Sequence, residues 1–214
     1  MARLLVAVLT FVCVVSTLNQ CLAEERAVKP DRSSARSTAP SFEDVFARDE
    51  LGARWTAAKG DWKIVDGLLV GREKKEDAHA AVVSCNQPNR NSTIQFSFKL
   101  DGTVGFHLSF NYAKGHLFRV IVGKKAVMIR TDKDKKDPTS KPVTLAAADA
   151  EIEQGTWHTM VVEINGEQVT VRIDDDVKLK GSHPSLDVDK PNYRFVTRGA
   201  ALALDNVKIW VPAK

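Results

Sequence analysis

His107, Ser109 and Asn111 alternate with the apolar residues Phe106, Leu108 and Phe110. That spacing puts three polar side chains on one face of a β-strand, with the apolar face turned the other way. Arg119 and Arg130 stand opposite their own apolar neighbours in the two segments that follow. On three adjacent strands, His107, Asn111, Arg119 and Arg130 would share one sheet face. Imidazole, amide and guanidinium groups together can hydrogen-bond sugar hydroxyls or grip a carboxylate. The same residues also suit a plain solvated face, which antiparallel sheets commonly have.

Other chemistries find less support. Glycosidic cleavage needs two carboxyl groups about 5–10 Å apart across a cleft. Glu163 alternates with apolar neighbours, Asp174 to Asp176 read as a turn, and no spacing brings a pair of carboxylates together. The five His show no zinc-ligand spacing. Cys85 has no adjacent base and is expected to be buried as a small apolar residue. There is no phosphate-loop or dinucleotide-binding pattern.

The elements that must position these residues are strands. Ile94, Phe96, Phe98 and Leu100 alternate with polar residues, as do Phe118, Val120 and Val122, then Val127 and Ile129. The pattern returns at Met160, Val162 and Ile164, at Val169, Val171 and Ile173, and from Leu202 to Val211. Ala113-Lys114-Gly115, Gly123-Lys124-Lys125, Asn165-Gly166-Glu167 and Asp174-Asp175-Asp176 are hairpin turns by composition. One Ala-rich window, Leu145 to Glu153, predicts about two helical turns ended by Gly155. It sits in a long connection that opens with the charged run Asp132 to Asp137, expected to be a solvated loop. Ten or more short strands without a βαβ pattern predict an all-β fold, a β-sandwich or barrel, and the many alternating Val, Ile, Leu and Phe can fill the two inner faces of an antiparallel two-sheet β-sandwich.

The chain has 214 residues, a formal net charge of +4 and three Cys. Arg3, an apolar run from Leu4 to Leu18 and the Cys21-Leu22-Ala23 end predict a signal peptide over 1–23, cleaved near Ala23. The run is shorter than the ~20 residues of a spanning helix, so no membrane span is expected. Export to the periplasm or outside the cell follows. Residues 24–40 have one large aliphatic, Val28, and no aromatic, the composition of a disordered spacer. The folded unit is then 41–214. Removing the leader leaves Cys85 alone, so no disulfide forms within the chain, and takes the charge from +4 to +3. A balance this weak argues against nucleic acid as a partner.

The stretch from Phe42 to Gly71 resembles the opening of concanavalin-like (laminin-G-like) jelly-roll domains. Asp44, Phe46, Arg48, Leu51, Gly52 and Trp55 carry the likeness, followed by Trp62, Ile64, Asp66, Gly67 and Leu68. Gly155 to His158 with the hairpin around Asn165-Gly166, and Leu204 to Ile209, are similar to two further segments of such domains. The resemblance implies a jelly-roll sandwich that recognises a glycan or polysaccharide. Among the four Trp, Trp55 is the candidate for an exposed sugar-stacking ring because it lies before the first clear strand, although a core or rim position is the commoner role of a Trp. No cofactor is required, but the family's structural Ca²⁺ would fall to Asp44 and Asp205. The bacterial 3-keto-disaccharide hydrolase-type domain is similar over Trp62–Gly67 and Trp157–His158, but its Gly-Asn-Ser-Gly segment reads Thr103-Val104-Gly105-Phe106 here. A glycan-binding module, a glycoside hydrolase and a structural module of the bacterial cell envelope all remain open at this point.

Overall fold

The structure is a computed structural model and describes residues 39–134 and 136–213. The expected leader and nearly all of the spacer therefore lie outside the described residues. Thirteen strands follow in chain order: β1 (Phe42–Asp44), β2 (Trp55–Lys59), β3 (Asp61–Val65), β4 (Leu68–Arg72), β5 (Ala81–Cys85), β6 (Ser92–Tyr112) and β7 (Gly115–Gly123). They continue with β8 (Ala126–Thr131), β9 (Thr144–Asp149), β10 (Trp157–Asn165), β11 (Gln168–Ile173), β12 (Val177–Ser182) and β13 (Tyr193–Trp210). Two single-turn 3-10 segments, Lys75–Asp77 and Pro184–Leu186, complete the regular structure.

β6 and β13 build the architecture, because each runs through both layers. The first half of β6 pairs with β10 and with the second half of β13, which also pairs with β1 and β4. Beyond β10 lie β11 and β12, and beyond β4 lies β3. The second half of β6 pairs with β7 and with the first half of β13, which also pairs with β5. β8 and β9 extend this layer on one side and β2 on the other. All these ladders are antiparallel.

Glycines make the fold line. Gly102, Gly105 and Gly199 have φ of +88°, +149° and +81°, and the β6–β13 register slips between Thr197 and Ala201. Bulges of this kind let one strand change sheets at a corner. Gln154 straps the corner, accepting from the Gly102 amide and donating to the Thr103 carbonyl, both at 3.0 Å. The layers then close on a phenylalanine core. Phe106 stands 4.9 Å from Phe98 and 6.1 Å from Phe96, and Phe195 meets Phe96 edge-on at 5.1 Å. Each ring is fully buried, worth about 1.5–3 kcal/mol per side chain in area removed from water.

The Ala-rich window departs from its expected helix. Residues 144–149 form β9, with Ala146, Ala147 and Ala148 opposite Ile129, Met128 and Val127. The Ala150 and Ile152 amides go on bonding to the Lys125 and Lys124 carbonyls. Two isolated helical turns are marginal in water, whereas β8 offers an open edge whose amides and carbonyls need partners. The other face of β9 meets β12, where a Cβ on Gly181 would lie 2.7 Å from the Leu145 Cβ.

Candidate functional site

Phe106, Leu108 and Phe110 are buried in the core, so His107, Ser109 and Asn111 face outward from β6. Register then extends the face across the layer. Ser109 is directly opposite Arg119 on β7 and Arg194 on β13. Arg119 is opposite Arg130 on β8, and Arg194 is opposite Ser84 on β5. One row therefore reads Ser84, Arg194, Ser109, Arg119, Arg130 across five strands. At about 4.8 Å per strand, Arg194 and Arg119 stand about 10 Å apart with Ser109 between them.

The charges in this row are unevenly satisfied. Arg119 holds Asp132 through two contacts, Nε to Oδ2 at 3.2 Å and Nη2 to Oδ1. Asp132 is placed for this because its own amide donates to the Leu117 carbonyl at 2.8 Å. It opens the charged run expected to be a solvated loop, yet it is mostly buried. Arg194 is half-buried, and burial first, then the neighbouring Arg119 charge, pulls its pKa down. His107 is lowered for the same two leading reasons, burial and then Arg119. Arg130 is exposed. Neither Arg130 nor Arg194 has a carboxylate partner among the described residues. Asn111 follows a bulge in the β6–β7 ladder and engages His116 Nδ1 at 2.9 Å. Of the residues expected to share a face, His107, Arg119 and Arg130 stand in adjacent rows and Asn111 marks the margin.

Trp55 is a core residue and not an exposed stacking ring. It is 5% exposed, packed against Phe46 and Phe195, with its indole N–H donated to Asp44 Oδ2 at 2.8 Å. A ring buried on both faces cannot stack on a sugar. The Asp44–Phe46–Arg48–Leu51–Gly52–Trp55 pattern is instead a structural clasp. Arg48 pairs with Asp44 through two bonds of 2.7 Å, and the Phe46 amide adds a third at 2.9 Å. Arg48 also donates to the Glu50 and Leu51 carbonyls, turning the chain back toward β2.

The expected calcium does not fit these residues. Both Asp44 oxygens accept from N–H donors, and a cation there would face the Arg48 guanidinium. Asp205 is turned to the Asn206 amide at 2.7 Å. Calcium takes six to eight oxygen ligands, and no group of three or more His, Cys, Asp or Glu placed to hold a metal ion gathers among the described residues. Cys85 is buried as expected, and burial pushes its thiol up to about 12.

A second polar feature has no counterpart in the local sequence pattern. His158 Nδ1 lies 2.7 Å from Asp174 Oδ2, and Asp174 Oδ1 accepts the Thr159 amide at 2.8 Å. The pair borders a cleft of about 310 Å³ that also includes Glu151, Ile152 and Asp176. The hydrogen bond to Asp174 outweighs burial and raises the His158 pKa above its ordinary 6.5. A raised histidine pKa contributes stability that is full below the unfolded value and is lost as pH rises through the folded one. Asp174 sits at φ +47°, which asparagine tolerates. Asp174→Asn should therefore keep the turn, lower the His158 pKa in an NMR titration, and cost more stability near pH 5.5 than near pH 8.5. An unshifted His158 titration would refute the assignment.

No protein-family model matches the chain, and no curated protein matches it. Solved structures do. The chain is similar to the carbohydrate binding module CBM66 from Bacillus subtilis, with 14% identity, a TM-score of 0.60, and 73% of this chain and 95% of that one covered. It is similar to the laminarinase from Rhodothermus marinus, at 10% identity and a TM-score of 0.60, covering 82% of this chain and 98% of that one. LamAcat from Zobellia galactanivorans matches at 10% identity and a TM-score of 0.58, over 81% and 98%. The likeness is one of fold, and with the architecture above it makes this chain a concanavalin-like β-sandwich.

Proposed function

We propose that this chain is a carbohydrate-recognising β-sandwich module that binds its ligand across the arginine-bearing face. One observation carries the reading: register alone sets Arg194, Ser109, Arg119 and Arg130 in one row, with His107 in the next. A row of forked donors on a rigid sheet suits hydroxyl and carboxylate acceptors. The carbohydrate-binding and glycan-cleaving proteins that share the fold support the choice of ligand. Recognition is favoured over hydrolysis on this face because the carboxylate beside the row, Asp132, is engaged by Arg119, whereas glycosidic cleavage needs two carboxyl groups across a cleft. The large apolar side chains that stand exposed among the described residues, Val45, Val65, Val104 and Val143, come from four separate segments. The leader-like residues 1–23 support export, which would put the face in contact with glycans outside the cytoplasm.

The double replacement of Arg119 and Arg130 by alanine tests the reading. On a glycan array, with calorimetry on the strongest ligand, affinity should fall at least tenfold. The melting curve should stay cooperative. Unchanged affinity for every glycan bound by the parent protein would reject the proposal.

A further inference from the structure

We infer that the glycan taken by this face is acidic, with a carboxylate or sulfate group seated between Arg194 and Arg119 over Ser109. The inference rests on the carbohydrate-binding reading and specifies its ligand class. Three observations carry it. The first is charge: the row holds three guanidinium groups against one carboxylate, and that carboxylate is committed to Arg119. Arg119 and Arg130 oppose each other directly across the β7–β8 ladder, an arrangement that like charges disfavour. Arg194 is half-buried beside them with no carboxylate partner among the described residues. A half-buried guanidinium without a counter-charge is a cost that a bound anion removes.

The second observation is shape. Ser109 faces outward yet is only 5% exposed, and its direct neighbours on the two adjoining strands are Arg119 and Arg194. An anion over this position would have a guanidinium-bearing residue on each side. Arg119 has its Nε and Nη2 on Asp132 and adds charge at close range, whereas the planar fork of Arg194 can bind carboxylate or sulfate oxygens two at a time, which an ammonium cannot do.

The third is what the face lacks. Neutral sugars are commonly held by stacking on flat aromatic rings. The Ser109 row and the neighbouring row of Val82, Val196, His107, Ile121 and Met128 contain no Phe, Tyr or Trp. With Trp55 buried, these two rows offer guanidinium, imidazole and hydroxyl groups beside aliphatic side chains, and no flat ring.

Trigalacturonate, its carboxyl-reduced counterpart and a sulfated oligosaccharide of the same length separate the possibilities. The parent protein should bind an acidic member at least tenfold more tightly than the reduced one, and the better of carboxylate and sulfate identifies the group seated. Arg194→Lys keeps the charge but gives up the fork, and should lose most of that preference. Equal affinity for acidic and reduced ligands, with both lost in the Arg119 and Arg130 double variant, would overturn the acidic preference while leaving carbohydrate binding intact. Full retention of the preference by Arg194→Lys would overturn the seating between Arg194 and Arg119. A single-stranded DNA oligomer bound as tightly as the acidic sugar would overturn it as well, since charge alone would then explain the contact.

Discussion

Replacing Gly105 by alanine is expected to destabilise the protein by about 3 kcal/mol or more, lowering the melting temperature by roughly 6–12 °C for a chain of this size. Two effects act together. Gly105 has φ +149°, a conformation that side chains rarely adopt, and a Cβ built there would lie 2.1 Å from the Val122 carbonyl oxygen and 3.0 Å from the Gly123 Cα. These neighbours are backbone atoms of the paired strand β7, so relief requires moving the ladder. Gly199 separates the two effects. It too has positive φ, +81°, but a Cβ added there would meet nothing within 4 Å. Gly199→Ala should cost only the backbone strain, about 1–2 kcal/mol. Thermal and denaturant unfolding of both variants would check the order. Equal losses at the two positions would show that close packing against β7 is not what Gly105 provides.

Asp44→Ala is expected to cost about 3 kcal/mol, the low end for breaking a buried ion pair because the Arg48 side chain is 34% exposed. The substitution leaves a guanidinium, a buried indole N–H and the Phe46 amide without their acceptor. Asp44→Asn should cost less, since one oxygen remains, but its amide nitrogen would face Arg48. The pH dependence adds an independent signature. Burial raises the Asp44 pKa, but the Arg48, Phe46 and Trp55 hydrogen bonds outweigh it and hold it below its ordinary 3.8. A depressed carboxyl pKa contributes stability that is present above the unfolded value and lost as pH falls through the folded one. The parent protein should therefore lose stability below about pH 4 more steeply than Asp44→Asn does. Parallel acid limbs would contradict the clasp.

Local pattern and non-local pairing account for what the sequence does and does not disclose. Arg119 and Arg130 can be placed together because β6, β7 and β8 are joined by tight turns, and a hairpin's register follows from its turn. Arg194 stays hidden. It reaches the same row only because β13 lies beside β6, a pairing across about a hundred residues of chain that no short-range pattern encodes. His158 and Asp174 escape notice for a different reason: they stand at the open end of the β10–β11 hairpin, where Asp174 reads as a turn residue and not as a partner. Trp55 misleads because it precedes the first strand that the apolar alternation makes legible, which suggests exposure, while it in fact opens β2 and the clasp around Asp44 folds it inward. The Ala-rich residues of β9 favour a helix by intrinsic propensity, which the open edge of β8 overrides.

The passage of β6 and β13 through both layers also bears on how the chain reaches its fold. Neither layer owns a complete set of strands, so neither can form first as a separate unit and wait for the other. The central ladder joins Ser92–Tyr112 to Tyr193–Trp210, and closing so long a loop must precede the contacts that reward it. Slow folding is the usual consequence of such topology. Because the fold line runs through the two longest strands, a break in either would unravel both layers together, and unfolding should register as a single transition by every probe.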